Sequence, residues 1–127
     1  MSQTSSTTAH LALTYHSYPN TACTVATCRL FVSAVTSADG GQTWSAPTQI
    51  EGPMQLGWLA DTSQGRMVGD YISTSFTSDG TAHPVFAKAS APSGGVFNES
   101  MATTTIRVAA PASPGMKPQA LFSAPAP

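Results

Sequence analysis

The chain has 127 residues, of which 41% are apolar and only 9% are charged, and its formal net charge is −1. That length is sufficient for one small domain with a hydrophobic core. Soluble domains usually carry about 25% charged residues, so hydroxyl side chains take over much of the solubilising role here. The five basic residues do not cluster, which argues against a nucleic-acid partner and against electrostatic attachment to a membrane.

Residues 1–8 are rich in serine and threonine and have no apolar periodicity, which predicts a disordered leader. They contain neither the basic n-region nor the apolar h-region of a signal peptide. No apolar run in the sequence approaches the roughly 20 residues that a transmembrane helix needs. The membrane is therefore not an expected partner.

Two cysteines, Cys23 and Cys28, enclose a short hydroxyl-rich loop with no histidine at a ligand spacing. A zinc site would need two further ligands nearby, so a small disulfide-closed loop is favoured over a metal site and over two free thiols. Disulfides persist in oxidising compartments. We therefore expect a secreted, extracellular parent protein whose signal peptide is not in this chain.

Short segments of alternating, β-branched or aromatic residues recur along the chain and are separated by turn-forming residues. No window supports an amphipathic helix, so the predicted fold class is all-β, an antiparallel meander. Asp-Gly within SDGT is typical of a tight hairpin turn. The predicted strands are residues 10–15, 29–36, 44–50, 70–76, 83–88 and 96–105, with a connection at 51–65, a loop at 90–95 and a disordered Pro/Ala-rich tail at 108–127.

The most specific motif is SADGGQTW, which follows the second predicted strand and begins at Ser37. Asp39 can accept backbone N–H bonds across its own turn, and Gly41 permits a backbone conformation that is closed to residues with a Cβ. Ser37 and Thr43 can add hydroxyl hydrogen bonds. Trp44 brings a large ring that can be buried beneath the hairpin and anchor it. These residues predict a motif that stabilises the turn between two strands and not a catalytic centre.

This motif fits the pattern Ser/Thr-x-Asp-x-Gly-x-Thr-Trp and resembles the Asp box, or BNR repeat, of sialidase-like β-propellers. The later passage GRMVGDYISTSFTSDGTAHPVFA also looks like the sequence that follows an Asp-box blade in this family. The resemblance covers residues 10–105. It implies a partial propeller over residues 9–107, about two blades from the C-terminal part of a six-bladed ring. In the family the box lies between the third and fourth strands of a blade, away from the active-site face.

Family members hydrolyse terminal sialic acids with an arginine triad, a tyrosine nucleophile paired with a glutamate, and an aspartate as acid/base. No arginine of this chain matches the triad, and neither Glu51 nor Glu99 has a motif that pairs it with a tyrosine. The resemblance therefore implies a fragment of a glycoside hydrolase without turnover of its own. The alternatives are a non-catalytic Asp-box propeller module that binds glycans or proteins, and a free-standing small β domain.

The best candidates for catalytic groups are Asp70 and Tyr71, because they open the strand that would line the channel of the propeller. The alternative is a structural role, in which Asp70 caps the turn at Gly69 and Tyr71 packs between blades. Arg66 is a candidate for substrate binding at the same rim, with a solvated loop position as the alternative. The three histidines are scattered along the chain, so no metal site and no cofactor are predicted. The expected partners are a glycan and, because a lone meander has unpaired outer strands, the missing blades or further copies of this chain.

Overall fold

In the computed structural model, residues 7–69 and 71–108 are described, and they form antiparallel sheets without an α-helix. A 3₁₀ turn, Leu56–Trp58, follows the third strand. The predicted all-β class with antiparallel pairing is confirmed. The strands are β1 Leu11–Ser17, β2 Arg29–Ser37, β3 Thr48–Gln55, β4 Ala60–Thr62, β5 Gly65–Met67, β6 Ser73–Phe76, β7 Thr81–Ser93, β8 Val96–Thr103 and β9 Ile106–Arg107.

The described residues form two larger sheets and one small hairpin. The first sheet has the strand order β1-β2-β3, and the second has the order β6-β7-β8 with β9 also paired to β7. Strands β4 and β5 pair only with each other. The register of β2 against β3 shifts around Phe31. Gly52 lies opposite this bulge with a φ of +101°, and a Cβ there would come within 2.8 Å of the Leu30 carbonyl oxygen.

The two larger sheets pack face to face, and much of the core lies between them. Across this interface Thr14 Oγ1 is 3.0 Å from Thr74 Oγ1, and His16 Nε2 is 3.3 Å from the Ala87 carbonyl oxygen. The main-chain N–H of Ala89 also approaches the sulfur of Met54 at 3.1 Å. The buried core consists of Leu30, Val32, Met54, Leu59, Val68, Phe86, Ala87 and Ala89.

The predicted third strand begins too early and ends too soon. Residues 44–47 precede β3, because Ser45 still belongs to the preceding turn: its N–H donates to the Thr36 carbonyl at 2.8 Å, and its Oγ accepts from the Thr36 N–H at 3.0 Å. Pro47 therefore stands just before β3, where its missing N–H costs no ladder bond. Burial of Met54 against the second sheet extends the strand to Gln55.

The predicted connection at 51–65 is wrong for most of its length. After β3 and the 3₁₀ turn, the small hairpin of β4 and β5 begins, and Thr62 Oγ1 closes it by donating to the Gly65 carbonyl at 2.7 Å. Strands of three residues are too short to give an alternating pattern that sequence inspection can recognise.

The predicted loop at 90–95 is also wrong in its first part, because residues 90–93 extend β7. The reversal is made by Gly94 and Gly95, whose φ angles are +59° and +77°. Among the described residues β6 begins at Ser73, and β8 and β9 divide the strand predicted at 96–105. A Ser/Ala/Pro sequence carries turn propensity, but pairing with β8 keeps these residues extended.

The predicted leader and tail fall almost entirely outside the described residues, which include only Thr7, Thr8 and Val108 of them. Those two predictions therefore stay predictions. Within residues 7–69 and 71–108, no helix is long enough and apolar enough to cross a membrane.

Candidate functional site

The SADGGQTW motif forms the turn between β2 and β3, and its centre is the carboxylate of Asp39. Ser37 Oγ donates to Asp39 Oδ1 at 2.7 Å, and the Thr43 N–H donates to the same oxygen at 2.9 Å. The Thr43 hydroxyl donates to the other carboxylate oxygen. The Gly41 N–H donates to Ser37 Oγ at 2.9 Å, with Gly41 at a φ of +91°. The turn is closed on itself by its own side chains.

These hydrogen bonds decide what the carboxylate can do. The side chain of Thr43, its N–H and the hydroxyl of Ser37 lower the pKa of Asp39 to about 2. A general acid works best with a pKa near the operating pH. Asp39 is therefore ionised at neutral pH and is fixed as a hydrogen-bond acceptor, which suits the stabilisation of a turn and not proton transfer.

A shorter turn between β6 and β7 repeats the same arrangement around Asp79. The Thr77 hydroxyl donates to Asp79 Oδ1, and the Thr81 N–H donates to that oxygen at 3.0 Å. The hydrogen bonds from Thr77 and from the Thr81 backbone lower the pKa of Asp79 to about 2. The chain thus contains two aspartate-centred turns, of which the sequence motif marks only the longer.

Both aspartate-centred turns lie at one end of the molecule, on either side of the segment that leads into β1. The Gly40 N–H donates to the Ala9 carbonyl at 3.0 Å, and a Cβ on Gly80 would lie 3.9 Å from His10 Nδ1. The Trp44 ring packs near Gly41, but this residue remains 37% exposed and is not buried beneath the hairpin as predicted.

The predicted disulfide between Cys23 and Cys28 is confirmed. It closes the loop between β1 and β2, at the end of the sheets opposite the two aspartate-centred turns. Main-chain bonds from Leu56 to the Cys28 carbonyl and from Gly57 to the Val25 carbonyl hold this loop against the 3₁₀ turn. The loop is thereby part of the fold and not a projecting appendage.

The candidate catalytic and substrate-binding residues do not form a site among the described residues. Arg66 donates to the Leu59 carbonyl at 2.8 Å and pairs with Asp61 at 3.5 Å, so its guanidinium stabilises the small hairpin. Tyr71 is 87% exposed. Asp70 lies outside the described residues.

The two glutamates have structural partners instead of a tyrosine. Glu51 pairs with Lys88 at 3.3 Å across the two sheets, and Glu99 accepts the Ala60 N–H at 2.8 Å. In the part of the chain that the structure describes, no three histidine, cysteine, aspartate or glutamate side chains are grouped so that they could hold a metal ion.

Sequence inspection missed a cavity of about 260 Å³ that opens at the end with the two aspartate-centred turns. Its walls come from β2, β3, β9 and the residues just before β3 and β9, which are far apart in the chain. No local motif marks it, because only the packing of the two sheets brings these segments together. It is lined by Ala34, Thr36, Ser45, Thr48, Ile50, Thr105, Ile106 and Arg107.

No family model, no curated protein sequence and no solved structure matches this chain. The resemblance to Asp-box propellers therefore rests on the residues of the motif and on the passage that follows it.

Proposed function

We propose that this chain is part of a sialidase-like β-propeller and supplies two adjacent blades of its wall. In this proposal the complete propeller hydrolyses terminal sialic acid or a related glycan residue, and the present part has no turnover of its own. The observation that carries the proposal is the turn at Ser37–Trp44, whose carboxylate is bonded to both sides of the turn. It joins two neighbouring antiparallel strands, as the Asp box of the family does.

The positions of the turns support this assignment. If β1, β2 and β3 are the second, third and fourth strands of one blade, then β6, β7 and β8 are the first three strands of the next. In an up-and-down blade, the turns between strands one and two and between strands three and four lie at the same end. The turns around Asp39 and Asp79 occupy these two positions, and both lie beside Ala9 and His10.

The outer face of the first sheet also supports the proposal that a further blade packs against this sheet. Thr14 contacts the second sheet, so the alternating residues Leu13 and Tyr15 point away from it. Val35 lies opposite Leu13 in the register and faces the same way. Leu13 is 53% exposed. An apolar outer face is unfavourable on a sheet that ends at water.

The outer face of the second sheet is also apolar, and part of it is exposed. Lys88 bonds to Glu51 of β3, so Val85 and Met101 lie on the other side of this sheet, where Ala87 and Ala89 are already buried. Val85 is 42% exposed and Met101 is 61% exposed. Two sheets with apolar outer faces are expected when a further blade packs on each side.

The absence of a matched catalytic group in this part favours a role in the wall. The guanidinium of Arg66 donates to the Leu59 carbonyl beside the small hairpin, and the ionised carboxylate of Asp39 accepts hydrogen bonds within its own turn. The same features suit the alternative, a non-catalytic propeller module that binds glycans or proteins. The disulfide between Cys23 and Cys28 supports a secreted parent in either case.

Light scattering and circular dichroism of the purified 127-residue chain test the fragment proposal. We expect a β-rich spectrum together with a mass above that of the monomer, because the outer faces lack their neighbours. A monomer with one sharp cooperative thermal transition would contradict the fragment proposal and would favour a free-standing β domain.

Hydrolysis of a fluorogenic sialoside separates the two propeller functions. We expect no turnover by this chain and measurable turnover by a longer natural protein that contains it. A longer protein that folds cooperatively and lacks both turnover and an arginine triad would favour the non-catalytic module.

A further inference from the structure

The cavity between the two sheets is lined by both apolar and polar residues. The apolar part of its lining consists of Ala34, Ile50 and Ile106. Ala34 is buried, and Ile106 is held in place by the pairing of β9 with Ala82 at the start of β7. The apolar part of the lining is thus built from three separate strands that the fold fixes relative to one another.

Three polar side chains of the lining are available to a ligand. Thr48, Thr105 and Arg107 line the cavity. Within residues 7–69 and 71–108, none of these side chains makes a hydrogen bond or ion pair. Ser45, by contrast, is already engaged with the Thr36 N–H and the Ala46 carbonyl.

The position of Arg107 is set by the backbone and not by an ion pair. Its main chain pairs with Thr81, next to the aspartate-centred turn at the start of β7. Both salt bridges among the described residues involve other cations, Arg66 and Lys88. Arg107 therefore lines this small cavity as a cation without an ion-pair partner among the described residues.

From this arrangement we propose that the cavity binds a small organic carboxylate with a compact branched hydrocarbon body. The guanidinium of Arg107 presents parallel N–H donors that match the two oxygens of a carboxylate. The hydroxyls of Thr48 and Thr105 supply further donors, and Ile50 and Ile106 receive the hydrocarbon. A volume of about 260 Å³ lies below the range of drug-sized sites, which limits the ligand to a few carbon atoms.

This inference does not depend on the proposed propeller, because every group it uses belongs to this chain. Its test is a titration of the full 127-residue chain with isobutyrate, followed by ligand-observed NMR, which tolerates self-association of the protein. The uncharged amide of the same shape, isobutyramide, is titrated in parallel. We expect millimolar binding of isobutyrate, about tenfold tighter than that of isobutyramide, because a charge-assisted pair contributes about that factor.

The substitution Arg107→Gln should remove this preference for the carboxylate. The matched control is Arg66→Gln, which changes the net charge equally but alters the small hairpin far from the cavity; it should leave the preference intact. Equal binding of acid and amide would overturn the proposal. So would no detectable binding, or an equal loss in both arginine variants, since the latter would mean that only net charge matters.

Discussion

The interface between the two sheets and the outer faces of the sheets all carry apolar side chains, but they differ in how deeply these side chains are buried. Between the sheets, Val32 and Phe86 are at most 1% exposed. On the outer faces, Leu13 and Met101 are 53% and 61% exposed, respectively. Each sheet therefore also carries exposed apolar side chains on the side that faces away from the other sheet. Such sheets are typical of the interior of a stack, because a terminal layer usually turns a polar face to water.

The inner interface stabilises the folded chain, whereas the outer faces are available for association with other chains. The inner interface supplies hydrophobic burial, roughly in proportion to the area removed from water. The outer faces contribute little until another layer covers them. Substitutions on the two kinds of face should therefore act on different observables, namely unfolding for the inner face and association for the outer faces.

The largest effect is expected at the centre of the inner interface. Phe86→Ala should lower the free energy of unfolding by about 3–5 kcal/mol, because it removes a fully buried ring and leaves a cavity. Chemical denaturation of dilute protein, followed by circular dichroism, measures this loss. Met101→Ala on the same sheet should change the free energy by less than about 0.5 kcal/mol. Similar losses in the two variants would remove the distinction between the faces.

The next effect concerns association. Leu13→Ser and Met101→Ser each remove an exposed apolar side chain from one outer face, and each should weaken self-association roughly tenfold. Light scattering over a dilution series measures the change.

The matched control for association is Val96→Ser. Val96 is 69% exposed, but it lies at the tip of the β7–β8 hairpin and alternates to the opposite side from Met101. It should leave the mass unchanged. If Val96→Ser disperses the protein as well as the two outer-face variants do, then general surface hydrophobicity and not the stacked faces causes association.

A smaller effect is expected in the two aspartate-centred turns at acidic pH. The folded-state pKa values of Asp39 and Asp79 are about 2, below the ordinary value of 3.8. A lowered pKa stabilises the folded protein above pH 3.8, and this contribution is lost as the pH falls towards 2. Urea midpoints measured from pH 5 to pH 2 should decline less steeply for Asp39→Asn and Asp79→Asn than for the unsubstituted chain.

The two turns should not respond equally to these substitutions. Asp39 accepts from three groups, and its turn is also tied to Ala9 through Gly40. Asp79 closes a tighter turn with fewer residues. At pH 5 the urea midpoint should therefore fall further for Asp39→Asn. An equal fall would mean that the longer motif adds nothing to the stability of its turn.

The sequence predicted the features that depend on local chemistry. Alternation located β2, Asp-Gly marked the turn at Asp79, and the spacing of Cys23 and Cys28 indicated their disulfide. Features that depend on contacts between distant segments were not predictable in this way. The four residues that extend β7 are kept extended by β8, and β4 and β5 are too short to show a period.

The candidate site likewise combines a local motif that the sequence predicts with a cavity that depends on contacts between distant segments. The motif around Asp39 could be recognised because all its partners lie within six residues. The cavity could not, because Ile50 and Ile106 are 56 positions apart and meet only after the sheets have packed. The contacts of Arg66 were not predictable for a related reason: its partners Leu59 and Asp61 belong to a hairpin that the sequence pattern did not reveal.

The smallest effect is expected for the ion pair at the rim of the inner interface. Lys88 and Glu51 are 3.3 Å apart, and their side chains are 37% and 29% exposed. Solvent screens such pairs, so Lys88→Met should change the free energy of unfolding by less than about 1 kcal/mol. A double-mutant cycle with Glu51→Gln measures the coupling between the two charges. A coupling larger than the loss from Phe86→Ala would mean that charge pairing, and not apolar burial, holds the two sheets together.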